Sequence, residues 1–242
     1  MSLSSLKFAS FLSYKPKYEG HKDLISAIKQ DKIHPKRGLP VSEAVAQDVK
    51  EKIENFKDFF GPEVYLVPVP KSVPIKQGML WVPERIAREL EKVGLGRFFD
   101  CLERIEPVKK SSSSDSKERL KPADHYKTIR VNPKIERPEK IVLVDDVITR
   151  GSTFLGCADL VSEAFPEAEI KSFAAIRAIS SHSYFKKIED IHIGLITRSP
   201  DGTCSTIYCS VKMATKRKTS PSSSSITPAT SRKQAKSYFI HI

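Results

Sequence analysis

Acidic residues are missing from the last part of this 242-residue chain. No aspartate or glutamate follows Asp201, whereas seven lysines and arginines do. Seven of the net +12 charges therefore belong to a segment rich in serine, threonine and proline. That composition predicts a disordered basic tail over residues 214–242. Its charge leaves contact with nucleic acid or another polyanion as an alternative to simple solvation.

Cysteines and long apolar runs are also scarce. The four cysteines form no C-x2-C pair, so zinc-ribbon spacing is excluded and we interpret them as reduced thiols. No apolar run approaches the ~20 residues of a membrane-spanning helix. The N-terminus has neither the apolar core nor the cleavage site of a secretory signal. These absences predict a cytoplasmic protein without a membrane partner.

Short apolar strands alternate with amphipathic helices. Helical spacing of apolar residues predicts helices over residues 21–32, 42–60, 83–92 and 152–164. Apolar runs rich in β-formers predict strands over residues 64–70, 141–144, 170–176 and 191–196. The alternation is typical of an α/β fold with an open parallel sheet and helices on both faces.

The same patterns predict three parts. Residues 1–62 form an N-terminal helical segment with a small hood, residues 63–213 form the α/β domain, and residues 214–242 form the tail. Within the domain, residues 107–128 have little apolar periodicity and five serines between positions 111 and 116. We expect a long mobile loop there, which inside a compact domain is either functional or disordered.

The segment IVLVDDVITRGST, residues 141–153, joins a buried strand to a loop suited to an anion. Ligands of open parallel sheets bind beyond the carboxyl ends of the strands, and we expect this strand to end at Asp145. The loop then opens a helix near Ser152. Free N–H groups at a helix N-terminus favour a phosphate, and Gly151 permits its close approach.

The two carboxylates of Asp145 and Asp146 would repel such a phosphate. They are better suited to sugar hydroxyls or to a hydrated Mg²⁺, so a ribose 5-phosphate beside a metal satisfies each part of the segment. A solvated strand end is one alternative. Another is the phosphoacceptor site of a receiver domain, although a receiver carries its acids after the first strand and lacks a T-R-G-S-T loop.

This segment resembles the motif with which type I phosphoribosyltransferases bind phosphoribosyl pyrophosphate (PRPP). The resemblance implies that Asp145 and Asp146 are catalytic, contact the ribose hydroxyls and reach Mg²⁺ only through ribose or water. It implies a phosphate loop around the 5′-phosphate. The members of that loop are Val147, Ile148, Thr149, Arg150, Gly151, Ser152 and Thr153.

A second stretch, VYLVPVPKS, resembles the matching segment of the ComF-like branch of that family. By this resemblance Lys71 and Ser72 bind the pyrophosphate. The mobile hood of the family corresponds to residues 107–128, where Arg119 is the best candidate for a catalytic cation, with Lys117 and Lys121 beside it. The alternative for each of these residues is a solvent-facing position in a loop.

The resemblance implies Mg²⁺-dependent transfer of the 5-phosphoribosyl group from PRPP to an unknown nitrogenous acceptor, with release of pyrophosphate. A homodimer would be consistent with the family. Two other functions stay open: a PRPP- or nucleotide-sensing protein without turnover, and a nucleic-acid-linked role in DNA uptake or phage defence. The chain lacks the N-terminal cysteine module of many ComF-like proteins, and its basic tail has no counterpart there.

Overall fold

The computed structural model describes residues 2–16, 18–108, 120–132, 136–179 and 187–208. The helices in this part are α1 (Lys22–Lys29), α2 (Val41–Glu51), α3 (Val82–Lys92), α4 (Pro122–Thr128) and α5 (Ser152–Ala164), with 3₁₀ turns at Glu19–His21 and Ile53–Asn55. The strands are β1 (Ser5–Tyr14), β2 (Tyr65–Pro68), β3 (Arg97–Phe98), β4 (Leu102–Arg104), β5 (Ile129–Val131), β6 (Lys140–Ile148), β7 (Glu169–Ala178), β8 (Glu189–Arg198) and β9 (Cys204–Tyr208). Over these residues, no helix has the length and apolar character needed to cross a membrane.

Seven of these strands form one mostly parallel sheet in the order β3-β2-β6-β7-β1-β8-β9. The first five in that order run parallel to one another. β8 and β9 extend the sheet in antiparallel orientation, and β4 and β5 form a separate antiparallel pair. The predicted α/β class with an open, largely parallel sheet is confirmed.

Helices cover both faces of the sheet. On one face, α1, α2 and α3 pack on a core that includes Phe56, Val144 and Phe173. On the other face, α5 packs on a core that includes Leu143 and Phe154. Because both faces are covered, the central strands are buried on both sides, which explains the unbroken apolar run at the start of β6.

Strand β1 corrects the prediction for the N-terminal segment. Residues 1–62 were expected to be helical, whereas Ser5–Tyr14 lies in the sheet between β7 and β8. Every β1 residue from Phe8 to Tyr14 is buried. Two of them, Ser10 and Ser13, are polar, and they interrupt the apolar run by which a buried strand is recognised in sequence.

Strand β8 exists where residues 191–196 predicted a strand, but it is antiparallel to its neighbour β1. The sequence pattern had implied another parallel strand. A parallel return needs a crossover of about a dozen residues or more, and the connection from Ala178 to Glu189 is shorter than that. The strand therefore joins the sheet in the opposite direction.

The predicted loop over residues 107–128 is partly helical, because α4 occupies its last seven positions. Pro122 sits in the first helical turn, where its missing N–H costs nothing, and the Lys121 amide donates to Asp124 Oδ2 at 2.8 Å. Residues 109–119 of the predicted loop, and the predicted tail over 214–242, lie outside the described residues. Those expectations stay predictions.

The burial of β1 predicts that its core side chains control stability. Phe8 is 1% exposed, so Phe8→Ala should lower the free energy of unfolding by about 3–5 kcal/mol through lost burial and a cavity. Ile207 on edge strand β9 is 51% exposed, and Ile207→Ala should cost less than about 1 kcal/mol. Urea denaturation followed by circular dichroism measures both, and equal losses would contradict the central place of β1.

Candidate functional site

Strand β6 does not end at Asp145 as predicted but continues to Ile148. On one side its pairing with β7 persists, with Asp145 opposite Ala174. On the other side β2 stops at Pro68, opposite Val144. The two carboxylates therefore lie on a strand that has lost one neighbour, beside the point where the chain leaves β2.

The loop after β2 lies against this end of β6. The Val69 amide donates to the Val144 carbonyl at 2.9 Å, directly before the acid pair. The Trp81 indole N–H donates to the Val69 carbonyl at 2.9 Å. The adjacent, parallel arrangement of β2 and β6 thus brings together the two segments that the sequence singled out, residues 69–72 and 145–153.

The carboxyl group of Asp145 is held in a poorly hydrated position. Its pKa is raised well above the ordinary value, first because burial disfavours the charged form and then because Asp146 adds a second negative charge. The positive charge of Lys29 on α1 opposes the shift. Asp145 Oδ1 also accepts a hydrogen bond of 2.8 Å from the Asp146 amide, which fixes the orientation of the carboxyl group.

Tyr14 is a neighbour of the acid pair that no sequence pattern indicates. It is the last residue of β1 and is 8% exposed. Burial raises the pKa of its phenol, and the charge of Asp146 raises it further. The hydroxyl therefore keeps its proton at neutral pH and is a hydrogen-bond donor near the carboxylates.

The predicted phosphate loop forms a tight entry into α5. Gly151 adopts a left-handed conformation with φ 85° directly before the helix, and no side chain of the described residues caps this N-terminus. The first turn also contains no acidic residue. Thr149 and Arg150 are exposed, while Ser152 and Thr153 are half-buried. The Ser152 hydroxyl already makes a hydrogen bond with the Cys204 thiol. The arrangement therefore provides uncapped amides and the hydroxyls of Thr149 and Thr153 for an anion.

Lys71 and Ser72 lie in the loop after β2, but both are already engaged. The Lys71 ammonium donates to the Leu80 carbonyl at 2.6 Å, and the Ser72 carbonyl accepts from the Val108 amide at 2.7 Å. The backbone of this loop is therefore fixed. For Lys71 to bind a pyrophosphate, its ammonium would have to exchange the Leu80 carbonyl for a phosphate oxygen.

A buried guanidinium connects this loop to the helical part of the site. Arg104, at the end of β4, is 2% exposed and has no carboxylate partner in the described part of the chain. Its Nε donates to the Lys71 carbonyl at 2.8 Å, and its Nη1 donates to Thr128 Oγ1 at 2.5 Å. Its Nη2 lies 3.3 Å from His125 Nδ1.

His125 continues the chain of hydrogen bonds to the phosphate loop. Burial and the charge of Arg104 lower its pKa to about 4, so the imidazole is neutral at physiological pH. Nδ1 must accept from the guanidinium, which leaves the hydrogen on Nε2, 3.4 Å from Thr153 Oγ1. The Thr153 oxygen accepts that bond, and its own hydrogen stays available for a ligand.

The predicted hood cations are placed only in part. Arg119 and Lys117 fall in residues 109–119, outside the described residues. Lys121 is described, and its ammonium donates to the Asp201 carbonyl at 2.6 Å. Like Lys71, it would have to exchange a carbonyl oxygen for a phosphate.

A divalent cation at this site would need oxygens from outside the protein. Within the described ranges, no group of three or more His, Cys, Asp or Glu side chains is arranged to hold a metal. The carboxylates of Asp145 and Asp146 are hard oxygen ligands of the kind that Mg²⁺ accepts. The pair therefore fits a Mg²⁺ that takes most of its ligands from substrate and water.

The raised pKa of the half-buried Asp145 carboxyl predicts that its ionisation lowers the stability of the fold at neutral pH. A folded-state pKa above the unfolded value means that stability is lost as pH rises through the interval between the two values. Asp145→Asn removes that penalty and keeps the oxygen that accepts from Asp146, so the melting temperature at pH 7.5 should rise by a few degrees, or about 1 kcal/mol. The gain should shrink as pH falls towards about 3, where wild-type Asp145 is mostly neutral in both states. Thermal unfolding from pH 3 to pH 8 measures this, and a lower melting temperature for the variant at pH 7.5 would contradict it.

The entry into α5 predicts a strict requirement for glycine at position 151. An added Cβ would lie 2.6 Å from a methyl carbon of Ile196, and the positive φ costs another ~1 kcal/mol for an L-residue. Gly151→Ala should therefore cost at least about 2 kcal/mol. Gly94 also has a positive φ but no atom within 4 Å of the added carbon, so Gly94→Ala should cost about half as much. Denaturant unfolding of both variants separates backbone strain from packing, and equal costs would exclude the Ile196 contact.

No protein-family model matches the chain, and no curated protein matches it.

Proposed function

We propose that this protein is a Mg²⁺-dependent phosphoribosyltransferase, which binds PRPP and transfers its 5-phosphoribosyl group to a nitrogenous acceptor with release of pyrophosphate. One observation supports this most strongly. The acid pair of β6, the phosphate loop that follows it and the loop after β2 lie at the same carboxyl edge of adjacent parallel strands. That edge is where open α/β sheets bind their ligands.

Each part of the substrate has a chemically suitable partner at this edge. Asp145 and Asp146 accept hydrogen bonds from the ribose hydroxyls. The uncapped amides and hydroxyls of residues 149–153 bind the 5′-phosphate. The loop at Lys71 and Ser72 receives the pyrophosphate, on the side of the acid pair where β2 ends. In this assignment the acid pair takes the sugar, which joins the phosphate to the pyrophosphate in PRPP.

The reaction breaks the bond between the anomeric carbon and a pyrophosphate oxygen, and the acceptor nitrogen forms a new bond to that carbon. Positive charge develops on the sugar, where the neighbouring carboxylates of the acid pair favour it. A Mg²⁺ held beside Asp145 and Asp146 would neutralise negative charge on the leaving pyrophosphate. The protein contributes mainly by fixing the two ends of the substrate, and no covalent nucleophile is required.

Calorimetric titration of Mg²⁺–PRPP into the full chain tests the ligand assignment. We expect binding, and we expect Asp146→Asn to weaken it at least about 100-fold, because a ribose hydroxyl loses a charged acceptor. Asp58→Asn is the matched control, since the Asp58 side chain is 61% exposed and pairs with Lys7 on the surface. Its affinity should equal that of the wild type. Equal affinities for all three proteins would show that PRPP does not bind at the acid pair.

A second measurement separates turnover from binding alone. Release of pyrophosphate is followed while a panel of purine, pyrimidine and simple amine acceptors is added to the protein with Mg²⁺–PRPP. A binding-only function is the second candidate. The Lys71 ammonium is held by the Leu80 carbonyl, so this cation does not neutralise charge on the leaving pyrophosphate unless that hydrogen bond breaks. Tight binding with no release for any acceptor would support that second candidate.

A further inference from the structure

A cavity of about 340 Å³ lies between β1 and the helices α1 and α2. Most of its lining is apolar, including Phe11, Ala27, Ile28 and Val45. Its size is within the range of roughly 300–1,000 Å³ found for small-molecule sites. No residue of the segment 141–153 or of the loop 69–72 lines it, so the cavity is not part of the site described above.

One carboxylate in the wall of this cavity lacks half of its hydrogen bonding. Asp48, on α2, is 1% exposed. Its Oδ1 accepts from the guanidinium of Arg37, whereas its Oδ2 is buried and has no partner among the described residues. An unsatisfied acceptor in an apolar environment is costly. The missing partner is a hydrogen-bond donor.

The charges around the cavity restrict what that donor can be. Arg37 already balances the charge of Asp48 through their ion pair. Asp23 and Lys32 also line the cavity, but both are exposed and their opposite charges offset each other. His34 also lines the cavity, and its pKa is lowered by burial and by the charge of Arg37. A fully charged ammonium would add an unbalanced positive charge, and an anion would be repelled by Asp48. A neutral molecule with an N–H group satisfies both conditions.

His34 adds a hydrogen-bond donor to the lining, whereas Asp48 supplies an acceptor. Its Nδ1 accepts from the backbone amides of Lys36 and Arg37, both at 3.3 Å. In the neutral imidazole the hydrogen is therefore on Nε2, which is a donor. Apart from the exposed Asp23 and Lys32, the lining offers an acceptor at Asp48 and a donor at His34 between apolar walls. A flat heterocycle with one N–H and one bare ring nitrogen has the complementary pattern.

We propose that this cavity binds a compact, neutral nitrogen heterocycle that donates an N–H to Asp48 Oδ2. A hydrocarbon of the same size would leave Oδ2 without a donor, and buried water would leave the apolar walls poorly covered. The proposal goes beyond the phosphoribosyltransferase assignment and does not depend on it, since none of the residues that would hold PRPP takes part.

The test uses the full-length protein without PRPP and two probes of almost equal size. Benzimidazole has a ring N–H, whereas benzoxazole has an oxygen in the same position and keeps the other ring nitrogen. Ligand-observed NMR and calorimetry measure both affinities. We expect benzimidazole to bind about tenfold more tightly or better, because only it supplies the donor that Asp48 lacks.

Two matched variants place the binding in the cavity. Ala27 lines it, so Ala27→Leu should fill it and weaken benzimidazole binding at least about tenfold. Ala164, at the exposed end of α5, does not line it, so Ala164→Leu should bind like the wild type. Equal binding by the two variants overturns the location. Equal affinity for the two probes overturns the hydrogen bond to Asp48, and binding of neither overturns the site.

Discussion

The site depends on one constraint, which is that β6 is a central strand and yet carries two adjacent carboxylates. Val144 is fully buried, and the chain reaches Asp145 without leaving the sheet because pairing with β7 continues. The end of β2 leaves one side of β6 unpaired at this level, and both carboxylates are half-buried there. Loss of hydration then favours the neutral form of Asp145. A ligand that brings hydroxyl donors or a cation would stabilise the ionised form in place of the missing water. The order of strands in the sheet therefore determines the chemistry of the site.

Arg104 is the second element on which the site depends. A buried guanidinium without a carboxylate loses much of its hydration, and neutral acceptors must compensate for that loss. Here the acceptors are the Lys71 carbonyl in the loop after β2 and two side chains of α4, Thr128 and His125. Gly156 makes this possible, because an added Cβ on α5 would lie 2.6 Å from the Pro122 carbonyl oxygen of α4. Thus α4 packs closely enough for His125 to reach the phosphate loop, and the two loops are held in one hydrogen-bonded unit.

Helices and strands with a regular apolar pattern were predicted from the sequence. Contacts that depend on strand order and tertiary packing were not. The apolar run before Asp145, the helix after Gly151 and the strand before Lys71 were all found, because burial leaves a regular pattern. β1 was missed since Ser10 and Ser13 interrupt that pattern. Arg104 stands among charged residues, and no local pattern indicates its burial, which results from tertiary contacts with segments about 30 residues away. Tyr14 joins the site only because β1 ends near the acid pair, a consequence of strand order.

Helix α1 is shared by the acid pair and by the cavity. Ile28 lines the cavity, and the next residue, Lys29, supplies the positive charge that favours the ionised form of Asp145. Along the sheet, Leu12 of the cavity wall is opposite Ile176, which is opposite Val147 of β6. Those three strands place the two sites about 10 Å apart at one edge. Helix α1 therefore contributes a wall to the cavity and a positive charge to the acid pair.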